Sequence, residues 1–211
     1  SSNLMVTNCN FTNNQATTKG STDRDGRDAG AIWWISSNGK IENSQFIHNT
    51  ARGWGGAVFY QHASDFSIVN SIFEQNSALQ GAGLLVRDGN CKITVKGTNF
   101  TDNTATQNTG GAISTTPWNN GVTVDIDECN FTHNTALGVS GDGGAISTYA
   151  DAVLTIKSSS FTNNDAKNWG GALSHKGGAC TITGTTFDNN GQTSQRGGAI
   201  CMDTDSKLDV T

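Results

Sequence analysis

Apolar and polar residues alternate over short runs in this chain and never settle into a 3.6-residue period. Val122-Thr123-Val124-Asp125-Ile126-Asp127 and Cys180-Thr181-Ile182-Thr183 carry the period-two pattern of a strand buried on one side. A second kind of apolar run is built around a Phe, and a third follows a Gly-Gly pair, as in Gly143-Gly144-Ala145-Ile146. No window supports an amphipathic helix, so the pattern predicts strands throughout.

These runs recur as fixed phrases. Gly-Gly-Ala followed by Ile, Val or Leu stands at Gly55–Val58, Gly110–Ile113, Gly143–Ile146, Gly170–Leu173 and Gly197–Ile200, with looser copies at Ala29–Ile32 and Gly81–Leu84. Ahead of each copy comes Phe-x-x-Asn: Phe11/Asn14, Phe46/Asn49, Phe73/Asn76, Phe100/Asn103, Phe131/Asn134, Phe161/Asn164 and Phe187/Asn190. An Ala lies two residues after that Asn in six of the seven cases. Successive Phe residues are 35, 27, 27, 31, 30 and 26 positions apart, so a core of fixed length alternates with loops that absorb the difference.

Three extended segments per repeat, with no hairpin signals between them, bury their apolar faces only by winding about one axis and stacking on the next coil. The expected fold is an all-β, right-handed parallel β-helix (β-solenoid) with three faces and about seven coils. At the spacing of paired strands it forms a rod roughly 35 Å long. The right hand follows from the near-universal handedness of parallel crossover connections. Residues 1–211 read as one domain and as a fragment of a longer repeat protein. The Phe stack and the column Ile32, Val58, Leu84, Ile113, Ile146, Leu173 and Ile200 are expected to fill the interior. The repeated Asn, from Asn14 to Asn190, is expected to form an amide ladder that fixes register. Each Gly pair provides a corner with positive φ or a close approach that a Cβ would block.

Composition fits this picture: 26 Gly, a single Pro, 34% hydrophobic residues and 15% charged residues. A net charge of −5 leaves no basic footprint, and nucleic acid is not an expected partner. Five Cys residues without CxxC or metal-ligand spacing read as small packed thiols rather than a disulfide framework. No apolar run approaches the length of a membrane span.

Phe-x-x-Asn followed by Gly-Gly-Ala-[Ile/Leu/Val] resembles the repeat of the chlamydial polymorphic outer membrane proteins. It is similar, too, to repeats of adhesin-like surface proteins of methanogenic archaea and of related protist surface proteins. The resemblance covers about residues 3–211 and implies a right-handed β-helix displayed at the cell surface and used for attachment. The family shares no motif of functional residues, so none is carried over.

Outward positions are where function would sit. Alternation from the inward Ile32, Val58 and Leu84 places Trp33, Phe59 and Leu85 outward, a stacked apolar platform for a partner or glycan. Cover by another part of the chain is the competing expectation. Trp54 and Trp169 each stand before a Gly-Gly pair, as corner caps or sugar-binding residues. Asp23, Asp25 and Asp28 in the longest insertion make a weak Ca²⁺ candidate, against which two Arg residues count. Asp125 and Asp127, about 7 Å apart by strand rise, are the only pair suited to a carbohydrate-active enzyme. Cross-strand pairing with neighbouring Lys is their simpler meaning. The column Thr94, Thr123, Thr155 and Thr181 raises ice binding as a third alternative. Asn10, Asn99 and Asn130 begin N-x-Thr acceptors for glycosylation at one repeat position.

The expected function is therefore an extracellular or cell-surface adhesin or stalk module that needs no cofactor and catalyses nothing. Its partners would be surface proteins or glycans of a host or neighbouring cell, with adjacent copies stacking end to end into filaments.

Overall fold

The computed structural model describes residues 3–17, 28–35, 38–61, 65–87, 90–116, 121–149, 151–203 and 205–211. Its strands are all parallel and form four ladders that run the length of one β-solenoid. Sheet I has eight strands, from Asn3–Thr7 to Ser206–Val210. Sheet II, with seven strands from Asn10–Thr12 to Thr186–Asp188, carries the Phe column. Sheet III is a ladder of six two-residue strands, from Gln15–Ala16 to Asp165–Ala166. Sheet IV, with seven strands from Ile32–Ile35 to Ile200–Met202, follows the glycine corners. Seven rungs in sheet II make six turns from Phe11 to Phe187. The alternating, Phe-bearing and post-glycine segments are the three expected from the sequence; sheet III is an additional, very short ladder that holds the Ala column.

The interior is a set of like-on-like columns. Phe11, Phe46, Phe73, Phe100, Phe131, Phe161 and Phe187 stack with ring centroids 4.6–5.0 Å apart, the spacing of the rungs themselves. Beside them the Asn side chains form a saturated ladder. Asn76 donates from its backbone N and its Nδ2 to Asn103 Oδ1 at 3.1 and 2.9 Å. The second Nδ2 hydrogen bonds Phe46 O at 2.9 Å. The same three bonds repeat at Asn49, Asn103, Asn134 and Asn164. Every amide donor and both oxygen lone pairs of an inner Asn are thus used while the residue is fully buried.

The two end members depart from the uniform ladder that the repeated phrase predicts. Asn190 is only half-buried and lacks the forward half of the pattern. Its Oδ1 accepts the backbone N–H and Nδ2 of Asn164 at 2.9 and 3.0 Å, and its own Nδ2 donates back to Phe161 O at 2.8 Å. The turn after it also differs: Gln192 stands where the other coils place Ala, and sheet III has no strand there. Asn14 is likewise half-buried and donates from its backbone N and Nδ2 to Asn49 Oδ1.

A second ladder runs through Ser44, Ser71, Thr98, Cys129, Ser159 and Thr185. Each hydroxyl or thiol donates to the carbonyl two residues earlier. Most of the hydroxyls also accept a backbone N–H from the previous rung. The glycine pair divides its work. The first Gly takes positive φ, +68° at Gly110 and +62° at Gly143. The second lies against the next rung, where a Cβ on Gly111 would sit 2.2 Å from Gly144 O.

Candidate functional site

The outward column of sheet IV does not form the expected open platform. Trp33 is 47% exposed, but Phe59 and Leu85 are buried and form a small second core with Ala29 and Trp54. They do point away from the main core. What covers them is the turn from sheet III to the glycine corner, which folds back over sheet IV. A Cβ on Gly55 would lie 2.8 Å from that of Phe59, and one on Gly81 would lie 2.9 Å from that of Leu85. Trp54 meets Phe59 edge to face at 6.0 Å. Alternation had the direction right and the exposure wrong. Trp33, with Ile35 also 47% exposed, is what remains of the platform.

The same turn places Trp54 and Trp169 at the same position before the glycine corner. Ahead of the glycine corners the column reads Asp28, Trp54, Gln80, Thr109, Asp142, Trp169 and Arg196, with parallel bridges Trp54–Gln80 and Trp169–Arg196. An Asp one rung earlier accepts each Trp backbone N–H: Asp28 Oδ1 at 3.0 Å for Trp54, Asp142 Oδ1 at 3.2 Å for Trp169. A cation lies over each ring. Arg87 is 4.6 Å from the Trp54 centroid, and Lys176 and Arg196 are 5.2 and 5.4 Å from that of Trp169. Asp142 is buried and also binds Asn168 Nδ2 at 2.7 Å and Lys176 Nζ at 2.5 Å. Burial pulls the Lys176 ammonium down, but the hydrogen bond to Asp142 and the charges of Tyr149 and Asp142 outweigh it and raise it above its ordinary value. Nothing in the sequence reading singles out Asp142 or Lys176. The available signal is a longer repeated phrase, Ala51-Arg52-Gly53-Trp54-Gly55-Gly56-Ala57 and Ala166-Lys167-Asn168-Trp169-Gly170-Gly171-Ala172.

On the outer face of sheet I, Asp125 and Asp127 are each held by lysine: Lys92 Nζ lies 2.9 Å from Asp125 and Lys96 Nζ 2.9 Å from Asp127. The hydrogen bonds to these carboxylates, and then their charges, raise both lysines. This is the cross-strand pairing, and Glu128 joins it 3.4 Å from Lys96 Nζ. The Thr column is broken by register. Asp125 stacks between Thr94 and Thr155, whereas Thr123 stacks on Lys92 and Val153. A cavity of about 360 Å³ at the N-terminal end of this face is lined by Met5, Lys40, Asp65 and Lys92, among others.

Asn10, Asn99 and Asn130 are exposed on sheet II, and Asn130 Nδ2 donates to Asn99 Oδ1 at 2.9 Å. Asp23 and Asp25 lie outside the described residues, and Asp28 is engaged by Trp54. Among the described residues no three metal-ligating side chains cluster, and no helix is long and apolar enough to cross a membrane.

A chain of stacked parallel rungs closed by glycine corners defines a β-solenoid. It matches the right-handed beta helix region over residues 1–125, more than half of its length, and belongs to that family. Residues 128–149, one complete Phe-x-x-Asn to Gly-Gly-Ala-Ile unit, match the Chlamydia polymorphic membrane protein repeat. No curated protein and no solved structure matches the chain.

Proposed function

We propose that this chain is a module of a cell-surface adhesin or stalk, an extracellular rod that presents its outer edges to proteins or glycans of another surface. The observation that carries the reading is the polymorphic membrane protein repeat at residues 128–149, whose phrase recurs in the other coils. The division of labour supports it. Inward positions repeat from rung to rung, while outward positions vary more, from Trp33, Phe59 and Leu85 to Ser114 on sheet IV, although Thr101, Thr132 and Thr162 repeat on sheet II, as suits a scaffold that varies what it displays. In this reading the chain binds a partner but catalyses no reaction, and Asp125 and Asp127 hold lysines in place. The test is adhesion of beads coated with the chain to cultured cells, in competition with soluble chain. Saturable binding that the soluble chain displaces supports the reading. Binding no better than that of beads coated with an unrelated β-solenoid overturns it.

A further inference from the structure

Arg52, Trp54, Lys167, Trp169 and Arg196 lie along one edge of the rod, where sheet III turns into the glycine corner. We propose that they form a two-station binding site for an extended polyanionic glycan, one bearing carboxylates or sulfates along its length. The inference rests on the adhesin reading and names the ligand class and the residues.

Three observations lead there. The first is duplication beyond what the fold requires. Packing fixes the Ala and the two Gly in the coils that carry them, and Trp54 packs on Phe59 besides, but packing does not call for a cation two residues before each Trp. The other coils place Leu79-Gln80, Thr106 to Thr109 or Leu137 to Asp142 there. Only two coils carry Ala-cation-x-Trp-Gly-Gly-Ala, and both build it alike, with an Asp beneath the Trp and a cation over the ring.

The second is charge. Arg52, Lys167 and Arg196 are exposed and make no ion pair among the described residues. On sheet I, Lys40, Lys92 and Lys96 are spent on Glu42, Asp125 and Asp127, while Lys157 and Lys207 stand exposed without an ion pair among the described residues but with no Trp beside them in sequence. The carboxylate nearest in sequence to Lys167, Asp165, is turned onto the backbone N and hydroxyl of Thr193 at 2.9 and 2.6 Å. Among the described residues, a protein with net charge −5 thus keeps three cations without an ion pair on this edge.

The third is spacing. The corners at Gly55, Gly81, Gly110, Gly143 and Gly170 set the two stations four rungs apart, about 19 Å at roughly 4.8 Å per rung. A rigid edge with two like stations, the Leu137 to Asp142 loop standing between them, suits a long linear polymer that spans from one to the other. Guanidinium and ammonium groups bind its anions, and the half-buried indoles offer apolar surface to the C–H faces of its sugars. Stacking on Trp169 also pre-orders Arg196, so less freedom is lost on binding.

The test uses the whole chain and heparin-derived oligosaccharides of graded length, followed by calorimetry, with neutral dextran as control. Oligosaccharides long enough to bridge both stations should bind at least about tenfold more tightly than ones too short to do so. Raising the salt should weaken both. Arg52→Ala and Lys167→Ala, both at exposed positions, should each reduce the long chains to short-chain affinity, while Lys207→Ala on sheet I changes nothing. Absence of binding, absence of length dependence, equal loss in Lys207→Ala, or equal binding of polyglutamate overturns the proposal. Bead adhesion that survives Arg52→Ala/Lys167→Ala would leave the adhesin reading standing and this one fallen. Length-dependent binding without any cell adhesion would do the reverse.

Discussion

Asn103→Ala tests the ladder that the fold depends on. Asn103 Oδ1 accepts both N–H groups that Asn76 aims at it, and Asn103 Nδ2 donates to Phe73 O and Asn134 Oδ1. Truncation removes four bonds and strands the backbone N–H and one amide hydrogen of Asn76, which is itself fully buried. Asn134 Oδ1 keeps the backbone N–H of residue 103. An unsatisfied buried donor costs about 1–3 kcal/mol, so the two together cost about 4 kcal/mol. For a chain of this size that lowers the melting midpoint by about 12 °C, at roughly 3 °C per kcal/mol. Asn14→Ala is the internal control. Asn14 is half-buried, no side-chain amide among the described residues donates to its oxygen, and Asn49 Oδ1 retains its bond from the backbone N of residue 14. Its loss should cost under about 1 kcal/mol. The assay is thermal unfolding followed by far-ultraviolet circular dichroism. The first transition is the one to read, because repeat arrays lose cooperativity. Equal midpoints for the two variants would refute a directional, saturated ladder.

Phe59→Ala should behave as a core truncation, costing about 3–5 kcal/mol in urea unfolding, rather than as the loss of a binding residue. A variant as stable as the parent would return Phe59 to the surface. Burial pushes the thiols of Cys91 and Cys129 up to about 11 and that of Cys180 up to about 12. A thiol reagent at pH 8 should therefore modify exposed Cys9 in the native protein and reach these three only on unfolding. Fast native labelling of any of the three would contradict their placement. His175 is buried, with Nδ1 2.6 Å from Thr148 Oγ1, and burial lowers its pKa. The unfolded chain takes up a proton as pH falls through about 6.5 while the folded one resists. Stability from this group is therefore complete above that pH and is lost as pH drops below it. His175→Met, which copies Met202 one rung on, should flatten the decline in melting temperature between pH 7 and 5. An unchanged decline would place its cause elsewhere.

The interior was legible in the sequence because each phrase has one physical task repeated at every rung. Phe-x-x-Asn set two neighbouring columns, and the glycine pair set a corner. The phrase alone did not tell an inner rung from an end one. Asn190 reads like Asn103, yet it is only half-buried and its Nδ2 donates to Phe161 O alone among the described residues. Sheet III was harder to see, because a two-residue strand such as Thr135–Ala136 shows no alternation. The fate of Phe59 and Leu85 was illegible for another reason. Period two tells which side of a strand a residue takes, not whether a later segment lies over that side. The Thr column failed on register. Loops of unequal length start each sheet I strand at a different residue, so Thr123 aligns with Lys92 rather than Thr94. Asp142 and Lys176 come together from different segments of the chain, and no local pattern announces a contact of that kind.

Loop length at the edge between sheet III and the glycine corner also decides what that edge displays. Where three residues bridge the gap, Arg52–Trp54 and Lys167–Trp169, the connection is too short to leave the surface. The indole is laid down against sheet IV, over an Asp bond and beside a cation. Where Leu137 to Asp142 bridge it, the added residues stand out. Leu137 is then 55% and Val139 81% exposed, while Gly138 packs so closely on Gln107 that a Cβ would overlap its carbonyl. One edge therefore carries two flat aromatic stations with a projecting apolar loop between them, all on an unchanged core. Inserting two Gly residues after Arg52 should lift Trp54 from Phe59 and erase the first station while leaving the Phe and Asn ladders intact. In that variant heparin-derived chains should lose their length dependence, and the melting temperature should fall by less than it does for Asn103→Ala. A variant that unfolds as far as Asn103→Ala would show instead that the short connection is part of what holds the rungs together.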